Sequence, residues 1–313
     1  MTGPRLAPAG ARQTKGTTAI PDLGPGTFWP RLLERERHAL ASGALQPIET
    51  EQSLMERNGV TWLVRRVSSL TRKVKDRERT QTRGDTSPPN PFLPPEADLT
   101  IGNVGPGHLC IFNKFNVIEH HILLVTRDFV HQECLLTPAD LAALSFCLCE
   151  HDGLGFYNGG RMAGASQPHK HLQWIPLPLA STGPAVPVAP LLDATDTPGR
   201  IGHCSSLPVE HAFVRLESAA LDRPEILYRY YVGLLEALGI EGLNIGGEIR
   251  QSAPYNLLLT REWMLAVPRT RECHAGISVN ALGFAGSLFV MQAEQLEQVA
   301  ATGPLALLRA VSA

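Results

Sequence analysis

Between Pro176 and Pro190 the chain carries five prolines and no charged residue. Proline lacks a backbone N–H and fixes φ, so this stretch can be neither a helix nor an inner strand. It reads as an extended arm or linker, assigned to residues 181–205. It separates an N-terminal part, residues 28–180, from a C-terminal part, residues 206–313. A second proline-rich stretch, residues 84–100, is an irregular connection within the first part. Residues 1–27 read as a flexible tail: Pro and Gly break it, and it lacks the apolar core of a signal peptide.

Around these breaks the pattern predicts both helices and strands. Phe28 to Leu40 has the spacing of an amphipathic helix, and Val60 to Leu70 reads as a strand with a basic exit. His108 to Phe115 and His120 to Val125 read as two strands joined by a short turn. Thr137-Pro138-Ala139-Asp140 is a helix start, with Thr as N-cap, Pro at N1 and an acid at N3. Gly155 to Asn158 and His169 to Ile175 read as strands on either side of a glycine-rich loop. A helix around Glu225 to Leu238, strands near Asn256 to Leu259 and Met264 to Val267, and a helix from about Ala293 complete the chain. No βαβ rhythm repeats. The expected class is therefore α+β, with a mainly antiparallel sheet flanked by helices.

Composition excludes some functions. Across 313 residues, 28 Lys and Arg stand against 30 Asp and Glu, a balance that argues against a dedicated nucleic-acid binder. Ala275 to Ala293 has no charge, but Ser278, Asn280, Gly283, Gly286 and Ser287 interrupt it, so no membrane span is expected. None of the six cysteines forms a C-x-x-C pair, which fits reduced thiols in the cytoplasm. Charge is concentrated in one place, Arg65 to Arg83, with eight basic residues against Asp76 and Glu78.

The stretch that carries chemistry runs from Gly164 to Gln173. In a strand, alternate side chains share a face, so His169, His171 and Gln173 form a row spaced by roughly 6.5–7 Å. The loop of small residues before them can turn backbone N–H groups inward as an anion nest. Phosphate chemistry, a metal site begun by the H-x-H pair, and a purely structural pair of histidines all remain open on spacing alone. The adjacent Gly/Ser loop favours phosphate. His120 and His121, as strand neighbours, face opposite sides and read as structural. His203, Cys204 and His211 form no complete ligand set.

The segment H-K-H-L-Q resembles the H-x-H-x-Q motif of the transferase branch of the histidine-triad superfamily. N-P-F-L-P-P from Asn90, N-K-F from Asn113, H-H-I-L-L-V-T from His120, G-F-Y-N-G-G from Gly155 and G-A-S-Q from Gly164 resemble blocks of diadenosine tetraphosphate phosphorylases, also called ATP adenylyltransferases. So do P-Y-N-L-L-L-T from Pro254 and L-G-F-A-G-S-L from Leu282. The resemblance runs from about Phe28 to the end.

This resemblance implies a histidine-triad-like fold and phosphorolysis of diadenosine tetraphosphate to ATP and ADP through an adenylated histidine. By position in the motif His171 is the nucleophile, and its second ring nitrogen should donate to a carbonyl that fixes the tautomer. His169 supports by hydrogen bonding. Gln173 cannot deliver a proton, which suits a polyphosphate leaving group that needs none, and its amide can instead donate to the phosphate under attack. Asn158, Gly164, Ala165, Ser166 and Gln167 match the nucleotide and phosphate loop, and Asn113 and Lys114 another substrate-contacting segment. Lys73 fits the family's phosphate-binding lysine, with Lys75 close enough to compete. Tyr255, Asn256, Leu257, Met264 and Arg269 are expected at the second nucleotide or the polyphosphate. The expected ligands are small nucleotides and phosphate, without nucleic acid or membrane. No resident metal is visible, and a divalent cation such as magnesium accompanies the polyphosphate. Hexose-1-phosphate uridylyltransferase and a non-catalytic nucleotide sensor are the rival readings. Oligomeric state is not encoded legibly.

Overall fold

A computed structural model describes residues 20–67, 90–193 and 197–312. Its frame is a nine-stranded sheet in which every neighbouring pair is antiparallel. In chain order the strands are β3 (Thr100–Val104), β4 (His108–Phe112), β5 (Ile122–Thr126), β6 (Gly153–Gly159), β7 (His171–Pro176), β8 (Ile201–Gly202), β9 (Ala212–Arg215), β12 (Tyr255–Leu259) and β13 (Trp263–Pro268). Their spatial order is β3-β4-β5-β7-β6-β12-β13-β9-β8. The sheet thus crosses the proline arm: β6 pairs with β12, setting Asn158 opposite Asn256.

One face is covered by helices α1 (Phe28–Ala41), α2 (Pro138–Glu150) and α3 (Pro224–Ala237). The expected capping box starts α2, with Thr137 Oγ1 accepting from the Asp140 N–H while Asp140 accepts from the Thr137 N–H. Part of the other face is covered by a three-stranded sheet of β1 (Thr50–Arg57), β2 (Val60–Val67) and β16 (Ser287–Val290), and two separate hairpins join β10 (Gly242–Ile245) to β11 (Glu248–Gln251) and β14 (Cys273–His274) to β15 (Ile277–Ser278). Helices α4 (Ala281–Phe284), α5 (Ala293–Thr302) and α6 (Pro304–Val311) complete that layer. Val186, Val188, Leu191 and Leu192 of the arm are buried in the same cluster.

The strand period of two sorts β7 between these layers. Leu172 and Trp174 join the helical core, whereas Ile175 joins the second. His171 and Gln173 point to the Ile175 side, over the part of the sheet that the second layer leaves open. No described helix is long and apolar enough to cross a membrane, and Ala275 to Ala293 is broken into short elements. β1 was not legible in the sequence: its residues are mostly exposed, with pairing to β2 as its main support.

Candidate active site

The uncovered part of the sheet is the floor of a cleft of about 1320 Å³. Its walls come from Asn90–Glu96, Asn113–Phe115, the loop Gly160–Pro168 and the segment around Ser278–Leu282. Glycine shapes that loop: Gly160 and Gly164 have φ of 91° and 93°, where side chains are strained. A Cβ on Gly164 would also lie 2.8 Å from the Asn280 Cβ. The Gly160 N–H bonds back to Asn158 O and those of Ala163, Gly164 and Ala165 bond within the loop, so these four are spent on the fold and do not form the anion nest expected there.

His171 opens β7 at the cleft floor. Its Nδ1–H donates to the His169 carbonyl at 2.8 Å, which fixes the tautomer and leaves the Nε2 lone pair for the cleft. Burial lowers its pKa from 6.5 to about 4, so the ring is neutral at pH 7. Gln132 holds the backbone here: its Oε1 accepts from the His171 N–H at 2.9 Å, and its Nε2 donates to Asn158 O at 2.9 Å.

His169 lies behind the cleft wall with both ring nitrogens engaged. Nε2 donates to Thr126 O at 2.8 Å, and Nδ1 accepts from Asn90 Nδ2 at 3.0 Å. A metal centre on the H-x-H pair would have to break one of these bonds, since His169 has no ring nitrogen to spare. Among the described residues no three His, Cys, Asp or Glu side chains gather as a ligand set. A cation arriving with a polyphosphate would belong to the substrate.

Gln173 lines the cleft one position of the row further on, and its Oε1 accepts from His121 Nε2 at 2.9 Å. Asn113, also on the wall, places Nδ2 3.2 Å from His121 Nδ1. Lys114 lines the cleft while pairing with Glu96 at 3.0 Å. Asn158, Gly164, Ala165, Ser166 and Gln167 all line it as well. Lys73 and Lys75 lie outside the described residues.

The residues expected at a second nucleotide lie elsewhere. Tyr255, Leu257 and Met264 are buried in the helical core, and the Tyr255 hydroxyl is 2.8 Å from that of Tyr231. Asn256 is fully buried and braces the loop, donating to Asn158 Oδ1 at 2.9 Å and Ala163 O at 2.8 Å. Arg269 donates to Asn256 Oδ1 at 2.6 Å, Val311 O at 3.1 Å and Arg271 O at 2.8 Å. None of the five is on the cleft wall; burial and internal bonding occupy them. Sequence reading missed Gln132, whose contacts are all distant along the chain, and it set His121 aside as structural.

The family model described as the Ap4A phosphorylase N-terminal domain (Ap4A being diadenosine tetraphosphate) matches residues 18–194. The ATP adenylyltransferase C-terminal domain matches residues 205–313. Protein APA1 of Saccharomyces cerevisiae is 28% identical over 309 residues, covering 88% of this chain and 90% of that protein. Diadenosine 5',5'''-P1,P4-tetraphosphate phosphorylase 2 of the same yeast is 29% identical over 243 residues, covering 69% and 73%. The crystal structure of yeast Ap4A phosphorylase Apa2 in complex with Ap4A superposes with a TM-score of 0.73 at 24% identity, covering 93% of this chain and 98% of that one. The AMP complex gives 0.72, with 93% and 96% covered. With the first domain model running through the proline stretch to residue 194 and the second taking up the chain at residue 205, the chain belongs to the Ap4A phosphorylase family.

Proposed function

We infer that this protein is an ATP adenylyltransferase that phosphorolyses diadenosine tetraphosphate to ATP and ADP, reversibly, through an adenylyl-histidine. The observation that carries this is the state of His171: neutral, with Nδ1–H held by the His169 carbonyl, so that Nε2 offers a lone pair to the cleft. That nitrogen attacks the α-phosphorus of one adenylyl group. A P–N bond forms, the P–O bond to the rest of the substrate breaks, and ATP leaves. An oxygen of inorganic phosphate then attacks the same phosphorus, the P–N bond breaks, and ADP leaves with His171 restored. Dividing the transfer lets one pocket exchange ATP for phosphate.

ATP leaves as a stable anion and needs no proton, so the amide of Gln173 suffices where an amine leaving group would require an acid. Its Nε2–H donates to the phosphoryl oxygen that gains charge. The small-residue loop, with Asn158 behind it, cradles the phosphates, and Lys114 and the run holding Lys73 contribute positive charge. His169 and Asn90 stiffen the backbone carbonyl on which His171 depends. Buried thiols such as Cys110, Cys134 and Cys147 fit a reducing compartment, the cytoplasm.

Incubation with labelled diadenosine tetraphosphate and phosphate tests the reading. ATP and ADP in equal amounts, formed only when phosphate is present, are expected. Their absence, with reaction of UDP-glucose and galactose-1-phosphate instead, would overturn it. Binding without turnover of either pair would mark a nucleotide sensor.

A further inference from the structure

A carboxamide has two ends of similar shape and opposite hydrogen-bonding sense. If Gln173 turned its carbonyl oxygen to the cleft, it would repel the oxygens of a phosphoryl group. Something must therefore decide which end faces the reaction. Gln173 is only 8% exposed, and its one described side-chain bond is at Oε1, to His121 Nε2 at 2.9 Å. His121 is itself 5% exposed and enters the cleft floor immediately before β5, beside β7 in the sheet.

We propose that His121 is a positioning residue: by donating from Nε2 to Gln173 Oε1 it turns the Gln173 amide N–H towards the phosphoryl group that His171 attacks. The proposal rests on the adenylyl-transfer reading above and deepens it.

Two observations support the direction of that bond. An imidazole must be protonated on Nε2 to donate there, and Asn113 meets the opposite nitrogen, Nδ1, at 3.2 Å through Nδ2. An amide N–H can only donate, so Nδ1 must accept, and the neutral ring then carries its proton on Nε2. Burial favours the same state by lowering the pKa of His121 to about 4, which keeps it from donating at both nitrogens at pH 7. Phe156, which pairs with Gln173 across β6 and β7, packs 5.8 Å from the His121 ring and holds it beside the amide. The relay Asn113 to His121 to Gln173 thus runs one way and ends on a donor in the cleft.

This role is separable from that of a packing residue. Gln173→Ala removes the donor and should lower kcat by about 100-fold, the usual scale for one such group. His121→Phe keeps a ring but leaves the amide unoriented, and should lower kcat by about tenfold with KM within about twofold. The decisive variant is the double one. If His121 acts through Gln173, the double variant should match Gln173→Ala alone; independent roles would instead multiply, giving about 1000-fold. Multiplication of the two effects would overturn the proposal.

A readout without catalysis separates this proposal from the reading it rests on. In the 15N NMR spectrum of the whole protein, His121 should show a protonated Nε2 and an unprotonated Nδ1 between pH 6 and 8. The reverse tautomer, or a ring protonated at pH 7, would contradict the proposal even with full phosphorolysis. The expected tautomer in a protein without phosphorolysis would leave the relay standing and sink the adenylyl-transfer reading.

Discussion

The segment His169–Gln173 presents a buried polar network on each face, and the two differ in kind. Towards the helices, Lys170 donates to Leu135 O at 2.8 Å and to Asp140 at 3.0 Å, and Asp140 also accepts from His108 at 2.8 Å. Burial pushes the Asp140 carboxyl pKa up, but the His108 hydrogen bond and the Lys170 charge outweigh it and hold the carboxyl well below its ordinary range. Towards the cleft, His171 and Gln173 each spend one polar atom on the protein and turn the other to the open side. A closed network of buried charges secures α2 to the sheet; an open one, built from neutral groups, is ready for a ligand. What marks a site is the unspent lone pair or N–H, more than burial or a depressed pKa, which both faces share.

Removing the open lone pair should have the largest effect. His171→Ala should reduce phosphorolysis by at least about 10³-fold, as loss of a nucleophile does, while its thermal midpoint stays near that of the parent. Steady-state kinetics with a melting curve on the same sample checks both halves. A midpoint lowered as far as that of a core variant would erase the distinction between the faces.

The closed face should respond in the opposite way. Asp140→Asn leaves Lys170 buried without its counter-charge, at a cost of about 3 kcal/mol or more in stability. Urea unfolding measures that loss, and kcat per folded molecule should remain close to the parent's.

Acid should affect the two networks in different windows. The folded-state pKa values of His121 and His171, both lowered by burial to about 4, lie below the ordinary 6.5 of an unfolded chain. Between these limits the unfolded chain takes up protons that the folded one does not. Stability from this source is thus present above about pH 6.5 and is lost as pH falls towards about 4. Asp140, also depressed, adds stability above the ordinary carboxylate pKa, and this is lost only at still lower pH. Because His171 stays neutral in the fold, the burst of ATP release without added phosphate should show no inflection near pH 6.5. An inflection there would mean that the ring titrates as an exposed histidine does.

The smallest effect sharpens the boundary between site and core. Tyr255→Phe removes a hydroxyl paired with Tyr231 and should cost about 1 kcal/mol. KM for diadenosine tetraphosphate should not change, since Tyr255 lies on the helical side.

Local features were the legible ones. The capping box at Thr137, the pair His171 and Gln173 on one face of β7, and the small-residue loop beside them depend on spacing within a few residues and lie where spacing predicts, whereas His169 precedes the strand and sits behind the cleft wall. Contacts distant in sequence were not legible. Periodicity says that Asn256 and Leu257 face opposite ways, but not which of them faces the loop. Arg269 reads as an anion-binding cation until three acceptors within the fold are seen to occupy it. Likewise, adjacency separates His120 from His121 without telling which enters the cleft. His120 pairs with Glu36 at 2.7 Å, and His121 meets Gln173.

In the proposed reaction His171 Nε2 becomes covalently bonded to phosphorus. Diadenosine tetraphosphate labelled at the α-phosphates, mixed with the enzyme without phosphate, quenched in base and digested, locates the label. An acid-labile adenylyl group is expected on the peptide bearing His171, discharged to ADP when phosphate is added before the quench. Phosphorolysis at full rate with no label on that peptide, or with His171 replaced by alanine, would contradict it.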